Sequence, residues 1–243
     1  MMPQIIDLTH TLDESTPTYP GDPPFLPSCA ASIAHDGYAV TKLSLSSHAG
    51  THIDAPAHFV AGGRTIDKLA IHELVGRVVV LDISAQCEAS KPISRNIIQR
   101  ALQLAWSPTE KHDDTPMPML FIQTGWSRHW SAFAKTYFTH PFLSREAAEY
   151  IVSLGFRVVG IDALSPDETR VAASDSESEE EKAEEQGSFA AHETILGANG
   201  VIAENLTNLG MLGNGQGFTI HLVPLKLDGC DGSPVRAYAL RSS

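Results

Sequence analysis

The sequence predicts a mixed α/β or α+β fold in a single domain. Short apolar runs rich in β-branched residues are typical of buried strands, and segments with helical periodicity lie between them. Predicted strands outnumber predicted helices, and the sequence contains no internal repeat. A chain of 243 residues could form one large domain or two small ones, and the mixing of strands and helices along it favours a single domain over residues 1–243.

The first half of the chain is predicted to contain loops, strands and one helix. Residues 19–27, YPGDPPFLP, are too rich in proline for a helix or a central strand and predict a surface loop. The alternation over 41–46 predicts a half-buried strand that runs into His48. VVVLDIS and MLFIQTG predict two buried strands, and Ser94 between them precedes a segment with one apolar helical face.

The second half continues this mixture of helices and strands. Ser144 precedes a helical segment that Gly155 would end, and a short helical turn is expected over 192–196. The predicted strands are FRVVGIDA at 156–163, GVIAENL at 200–206 and FTIHLVPLKL at 218–227, followed by the turn DGCDGSP and by VRAYAL.

An acidic run interrupts the second half. SDSESEEEKAEEQ carries seven acidic residues and one lysine, which is half of the net charge of −12. The run lacks apolar periodicity and cannot bury enough surface to offset its ordering entropy, so we predict a disordered surface insert at 171–188. A phosphorylated regulatory segment is the alternative, because three of its serines are each followed by an acidic residue.

The remaining composition disfavours several classes of protein. The sequence has no run of about 18 apolar residues that could span a bilayer, and its acidic balance disfavours nucleic-acid binding. MMPQIIDLTH lacks the pattern of a signal peptide. Cys29, Cys87 and Cys230 form no C-x-x-C pair, which disfavours a disulfide framework or a thiolate zinc site. We expect a cytoplasmic protein without a nucleic-acid or membrane partner.

The segment SHAGTHIDAPAHF concentrates side chains that can bind metal. Pro56 excludes a helix interior and favours extended backbone before it, so His52 and Asp54 would project to the same side. Gly50 permits a bend that would bring His48 to the same centre. Two imidazoles and a carboxylate within reach of one ion predict a divalent metal site, with zinc or manganese as candidates.

His58 leaves two roles open in this segment. It is either a further ligand or a free imidazole beside the metal, where it would move protons during attack by water. The alternative for the whole group is a set of polar residues that cap a strand end and bond to backbone. Signatures of other enzymes fail, because the chain has no H-E-x-x-H or G-x-S-x-G, and its GNGQG precedes a strand.

The stretch from His48 to Phe59 resembles the signature H-x-G-T-H-x-D-x-P-x-H-F of the metal-dependent cyclase family, which includes bacterial kynurenine formamidases and isatin hydrolases. DLTHTL and PTYPGDPPF resemble the opening of the family, and QTGWSRHW, GIDALSPD, HETILGANGVIAENL and DGSPVRAYAL resemble later blocks in the same order. The resemblance implies a swivelling β/β/α fold, a homo-oligomer such as a dimer or tetramer, a small-molecule substrate and one or two divalent ions, Zn²⁺ or Mn²⁺.

The resemblance also implies roles for individual residues. Asp54 would bridge two metal positions, and His58 would be the catalytic acid/base. Tyr19 stands where many formamidases carry tryptophan, and it would either stack on an aryl substrate or only cover the core. The implied metal ligands are His48, His52, Asp54, His192 and Glu204.

These implications predict a metal-dependent amidohydrolase that acts on carbon–nitrogen bonds other than peptide bonds. Hydrolysis of an aryl formamide such as N-formylkynurenine is the first candidate reaction, with His58 as general acid/base. Opening of a cyclic amide or lactone, as in isatin hydrolases, needs the same site and is the alternative. A rival from another class is a non-catalytic member that keeps its metal for stability or binding.

Overall fold

The computed structural model describes residues 3–106, 117–131, 133, 135–169 and 189–241. The acidic insert predicted at 171–188 lies outside the described residues, so it stays a prediction. Within the described ranges, no helix is long and apolar enough to cross a membrane.

Strands and helices are mixed along the described chain, as the sequence predicts. The strands are β1 (Gln4–Asp7), β2 (Leu26–Ala31), β3 (Val40–Ser44), β4 (His52–Asp54), β5 (Val75–Asp82), β6 (Pro92–Ile93), β7 (Met119–Gln123), β8 (Phe142–Leu143), β9 (Val158–Ile161), β10 (Val201–Glu204), β11 (Thr219–His221), β12 (Gly232–Pro234) and β13 (Tyr238–Arg241). The helices are α1 (Ile33–Asp36), α2 (Arg95–Ala105), α3 (Arg145–Ser153) and α4 (Ala190–Gly197).

One mixed sheet contains nine of these strands, in the spatial order β1-β13-β11-β5-β7-β9-β10-β4-β12. The four strands β5, β7, β9 and β10 are parallel, and the strands on either side of them pair antiparallel. Side chains of the parallel strands are mostly apolar and buried, as expected where both faces of a sheet are covered. Alternate residues enter two hydrophobic clusters, and α2, α3 and α4 contribute to one of them.

Local sequence signals explain where the helices begin and end. Ser144 has extended backbone, and its hydroxyl accepts a hydrogen bond from the Ala147 N–H at 3.2 Å, so it caps α3. Gly155 adopts φ 96° just after this helix, as its predicted stop requires. The helix predicted after Ser94 is α2, and the helical turn predicted over 192–196 lies within α4.

The half-buried strand predicted over residues 41–46 is exposed in the structure, where it forms a hairpin with β2. The strand is present, but every residue from Val40 to Ser44 is exposed. It pairs only with β2 in a separate two-stranded sheet, and β2 includes Leu26 and Pro27 of the predicted loop. A two-stranded hairpin has no second layer of its own, so alternation along it buries neither face.

The predicted strand over 218–227 is also shorter in the structure. Only Thr219–His221 forms β11, and Pro224, which lacks an N–H, makes a single isolated bridge to Val235. The predicted turn DGCDGSP ends in a short strand, because Gly232–Pro234 pairs with β4 as β12.

Gly160 tests the close packing at the centre of the sheet. A Cβ atom at this position would lie 2.6 Å from Leu206 Cδ1 and 2.6 Å from Phe121 Cδ1, and both of those side chains are fully buried. We expect Gly160→Ala to lower the free energy of unfolding by about 1–3 kcal/mol, because a packed core cannot absorb the added methyl group. Urea unfolding followed by circular dichroism measures the change.

Gly197→Ala is the matched control for this variant. Gly197 is the last residue of α4, and apart from its chain neighbours and the backbone of its own helix no atom lies within 4 Å of the position that an added Cβ atom would take. We expect its free energy of unfolding to change by less than about 0.5 kcal/mol. Equal losses in the two variants would contradict the steric explanation.

Candidate active site

Strand β4 places two of the predicted ligands on one face. His52, Ile53 and Asp54 are all buried, and Ile53 enters the hydrophobic core, so His52 and Asp54 project to the opposite side. In the antiparallel register with β10, Glu204 lies directly opposite His52. Because directly opposite residues share a face, the pairing joins ligating side chains from two distant parts of the chain.

A left-handed turn at Gly50 brings the third predicted ligand to the same place. Gly50 adopts φ +64°, which confirms the predicted bend. Nδ1 of His48 consequently lies 2.7 Å from Oδ1 of Asp54.

The first turn of α4 delivers His192 from the other side. The carboxylate of Asp167 accepts hydrogen bonds from the backbone N–H groups of Ala191 at 2.8 Å and His192 at 2.9 Å, and from Nδ1 of His192 at 2.7 Å. One side chain therefore caps the helix and orients the ring. Nε2 of His192 is left 3.3 Å from Glu204 Oε1 and 3.6 Å from Asp54 Oδ2.

Several buried polar atoms at this centre lack the hydrogen bonds that burial normally requires. Nε2 of His52 lies 3.3 Å from both Asp54 Oδ1 and Glu204 Oε2, yet it has no hydrogen-bond partner among the described residues. Asp54 Oδ2 and Glu204 Oε1 are also buried and have no hydrogen-bond partner in the described part of the chain. Two buried carboxylates facing imidazole nitrogens fit a divalent cation, which would satisfy all of these atoms at once.

The carboxylates also favour positive charge at the centre. Burial opposes protonation of His52, but Asp54 and Glu204 outweigh it and raise the pKa of His52 to about 10. Burial likewise opposes protonation of His192, while Asp167, Asp54 and Glu204 raise the pKa of His192 well above its usual range. Since metal binding displaces protons from its ligands, a centre that attracts protons in this way suits a cation.

In His48, His52 and His192, one ring nitrogen faces the buried carboxylates and the other forms a hydrogen bond outside the centre. Nε2 of His48 donates to Asp231 Oδ2 at 3.1 Å, and Nδ1 of His52 donates to the Gly50 carbonyl at 2.8 Å. Nδ1 of His192 donates to the capping carboxylate described above. Acceptors of this kind fix the orientation of metal-binding imidazoles, so the three rings are preorganised.

His58 lies beside the centre with part of its side chain open to solvent. It ends the 3₁₀ turn Pro56–His58, and its ring centroid is 4.1 Å from that of His48 and 5.7 Å from that of His192. The His58 side chain is 28% exposed, compared with 6% or less for His52 and His192. Burial lowers the pKa of His58, which keeps a neutral imidazole available to accept a proton at neutral pH.

A cavity of about 390 Å³ opens above these side chains. Tyr19, Phe59 and Phe189 line it, with ring centroids 5.2 Å apart for Phe59 and Phe189 and 6.5 Å apart for Tyr19 and Phe189. Phe59 also stacks on His192 at 4.7 Å. Burial raises the pKa of Tyr19, so its phenol stays neutral. The aromatic lining suits a ligand that carries a flat apolar ring.

The structure brings all of the residues singled out by the sequence to this one site. His58 and Tyr19 line the cavity, and the predicted metal ligands lie at its floor: His48, His52, Asp54, His192 and Glu204. Sequence reasoning missed Asp167, Asp231, Phe59 and Phe189 as contributors. The available signal for the two aspartates was their position within GIDALSPD and DGSPVRAYAL, two of the blocks that resemble the family.

Comparison with known proteins decides the family. Residues 6–168 match the family model Cyclase, described as "Putative cyclase". The chain belongs to the cyclase family. Two curated relatives are the kynurenine formamidases of Bacillus cytotoxicus and Geobacillus thermodenitrificans, each 30% identical to this chain. These alignments cover 96% and 99% of this cyclase-family chain, and 95% and 99% of the relatives.

Solved structures confirm the fold of this cyclase-family member. Isatin hydrolase A from Ralstonia solanacearum superposes with a TM-score of 0.78 at 24% identity, over 99% of this chain and 92% of that one. The predicted mixed α/β, cyclase-like fold is therefore confirmed. The prediction of an enzyme that hydrolyses carbon–nitrogen bonds other than peptide bonds agrees with the names of both relatives, which are formamidases.

Gly232 tests how tightly His48 is held. A Cβ atom at this β12 position would lie 2.7 Å from Cε1 and 3.0 Å from Nδ1 of His48. We expect Gly232→Ala to displace the His48 ring and weaken Zn²⁺ binding by about 10–100-fold, as changes around metal-binding imidazoles do. Competition with a chromophoric chelator measures the affinity.

Gly76→Ala controls for adding a methyl group elsewhere in the same sheet. The nearest atom to its added Cβ would be Met119 Cε at 3.9 Å, an ordinary contact. We expect this variant to bind Zn²⁺ as the wild-type protein does. Wild-type affinity in Gly232→Ala as well would show that His48 does not contribute to metal binding.

Proposed function

We propose that this chain is a divalent-metal-dependent amidohydrolase that cleaves an aryl formamide such as N-formylkynurenine. The observation that carries the proposal is the convergence of buried imidazoles and carboxylates, with unsatisfied atoms, at the floor of an aromatic-lined cavity. The relatives named kynurenine formamidase support a formamide substrate. A small-molecule substrate of this kind also agrees with the cavity volume of about 390 Å³.

Two overlapping groups of side chains would hold the metal. His48, His58 and Asp54 form one group whose ligand atoms lie within 4.8 Å of one another, and His52, Glu204 and Asp54 form the other, so both groups would share Asp54. Nε2 of His192 lies beside the second group, 3.3 Å from Glu204 Oε1 and 3.6 Å from Asp54 Oδ2. Mixed nitrogen and oxygen ligands suit Zn²⁺ or Mn²⁺. Such ions, when bound, lower the pKa of water and polarise a substrate carbonyl.

His58 is the residue we assign to proton transfer. Its neutral imidazole would accept a proton as water attacks the formyl carbon. It would then deliver this proton to the leaving nitrogen as the C–N bond breaks, which releases formate and the aryl amine. The carboxylate of Asp231 supports this role, since its Oδ2 lies 3.3 Å from Nδ1 of His58 and would stabilise the protonated ring.

The aromatic side chains would bind the aryl group of the substrate. Tyr19 lines the cavity next to Phe189, with their ring centroids 6.5 Å apart, so the two rings form one aromatic surface. Offset stacking on these faces would hold the ring, while the formamide reaches the floor of the cavity. The position of Tyr19 thus supports its assignment as a substrate-binding residue.

Opening of a cyclic amide is the second candidate reaction. The likeness in fold to isatin hydrolase A favours it. Attack on a ring carbonyl would use the same centre and the same proton transfer by His58, and the leaving nitrogen would stay attached to the product.

We also propose a homo-oligomer, either a dimer or a tetramer. The β2–β3 hairpin supports this state, because its large apolar side chains are between 45% and 72% exposed, and exposed apolar surface concentrated in one element is a feature of protein interfaces. These side chains are Leu26, Ile33, Tyr38, Val40 and Leu43. A cytoplasmic location stays a prediction.

His58→Ala tests the assignment of the proton carrier. We expect the variant to retain its metal and to lose about 10²–10⁴-fold in kcat, because general acid–base catalysis contributes rate and not metal affinity. Metal analysis and steady-state hydrolysis measure the two effects. His72→Ala, a change at an exposed histidine outside the cavity, should leave both unchanged. Loss of metal from His58→Ala would instead make His58 a ligand.

A substrate panel tests the reaction itself. The full-length protein is supplied separately with Zn²⁺ and Mn²⁺ and assayed on aryl formamides, lactams and lactones. We expect the highest kcat/KM for an aryl formamide, since the aromatic wall and the metal act on the same molecule. A preference for cyclic amides would select the second candidate, and bound metal without hydrolysis of any compound would reject both.

A further inference from the structure

The hydrogen bonds behind His52 extend from the metal centre into the protein core. Nδ1 of His52 donates to the Gly50 carbonyl at 2.8 Å, and the same carbonyl accepts from Nδ2 of Asn205 at 2.9 Å. The side-chain oxygen of Asn205 in turn accepts from the Tyr137 hydroxyl at 2.6 Å. All four residues are buried, so each bond is shielded from water.

Asn205 joins the two chain segments that meet at the centre. It directly follows Glu204, and its own carbonyl accepts from the Thr51 hydroxyl at 2.6 Å. Its backbone adopts φ +55°, a left-handed conformation that asparagine tolerates better than most residues. The end of β10, which carries Glu204, is therefore tied to the turn that precedes His52.

Tyr137 determines which way the Asn205 amide faces. The Tyr137 ring is fully buried and packs edge-on against Trp130 at 5.4 Å. Burial raises the pKa of Tyr137 well above its usual range, so its phenol keeps the proton that it donates to the Asn205 amide oxygen. The Gly50 carbonyl can only accept. The amide oxygen must therefore face Tyr137 and the amide nitrogen must face Gly50.

We propose that Asn205 is a positioning residue of the metal centre. Oriented by Tyr137, it holds the Gly50 carbonyl in the place where that carbonyl orients the His52 ring toward Glu204. This inference rests on the proposed function, because it takes His52 and Glu204 as metal ligands. Without the Asn205 amide the Gly50 carbonyl would lose one of its two hydrogen bonds, and the His52 ring would be held less firmly in its place 3.3 Å from Glu204.

Asn205→Gly tests the proposal in the full-length protein. Glycine accepts the left-handed backbone at little cost, so the change removes the amide and keeps the turn. We expect Zn²⁺ affinity to fall about 10-fold or more, as for other groups that orient a metal-binding imidazole. The absorption spectrum of bound Co²⁺ should change, and kcat should fall more than KM rises. Chelator competition, Co²⁺ spectra and steady-state kinetics measure these effects.

Asn208→Gly is the matched control. Asn208 also adopts a left-handed backbone, with φ +58°, and its amide donates to the Asp7 carbonyl at 2.9 Å on the exposed surface. The substitution removes the same chemical group from the same conformation, away from the centre. We expect wild-type Zn²⁺ affinity and a wild-type Co²⁺ spectrum. Equal effects of the two substitutions would overturn the proposal.

Tyr137→Phe provides a second test, which stands if Asn205→Gly fails to fold. It keeps the buried ring and removes only the hydroxyl, so we expect a several-fold loss of Zn²⁺ affinity and a shifted Co²⁺ spectrum. Wild-type affinity and spectrum in Tyr137→Phe would overturn the proposal. A wild-type protein that binds no Zn²⁺ or Co²⁺ would instead reject the proposed function, so the two failures are distinguishable.

Discussion

The closeness of two buried carboxylates dominates the chemistry of this protein. The antiparallel register of β4 and β10 places Asp54 and Glu204 on one face, where both are at most 6% exposed. Two negative charges removed from water destabilise a fold unless positive charge compensates them. The imidazoles around them, and the acceptors that orient those imidazoles, all contribute to this compensation. The site thus depends on two buried carboxylates that would destabilise the fold without the surrounding positive charge.

The parallel strands supply the rigid support that such a centre requires. β9 and β10 are buried along their whole length, and their carboxyl ends lead to Asp167 and Glu204 respectively. Open α/β sheets commonly bind ligands at this end of their strands. The short strand β4 runs antiparallel to β10 and adds its own ligands. Side chains from strands of both directions therefore meet at one edge of the four parallel strands.

Sequence reasoning predicted the parts of the site that depend on local geometry. The shared side of His52 and Asp54 and the bend at Gly50 follow from strand periodicity and backbone freedom. The approach of Glu204 depends on the register between β4 and β10, two strands far apart in the chain, and only the family resemblance indicated it. Burial of the 41–46 strand was predicted wrongly, because alternation reports which residues share a face and not whether another layer covers that face.

The Gly50 carbonyl shows that a backbone atom can be central to a site and remain hidden from mutational scanning. No side-chain replacement removes this oxygen, and replacements at position 50 act first through their unfavourable positive φ. In saturation mutagenesis, the contribution of the Gly50 carbonyl would be detected as loss of function at Asn205 and Tyr137, the residues that hold this carbonyl in place. The positions that tolerate no substitution would then surround the Gly50 carbonyl, a functional group that belongs to a different residue.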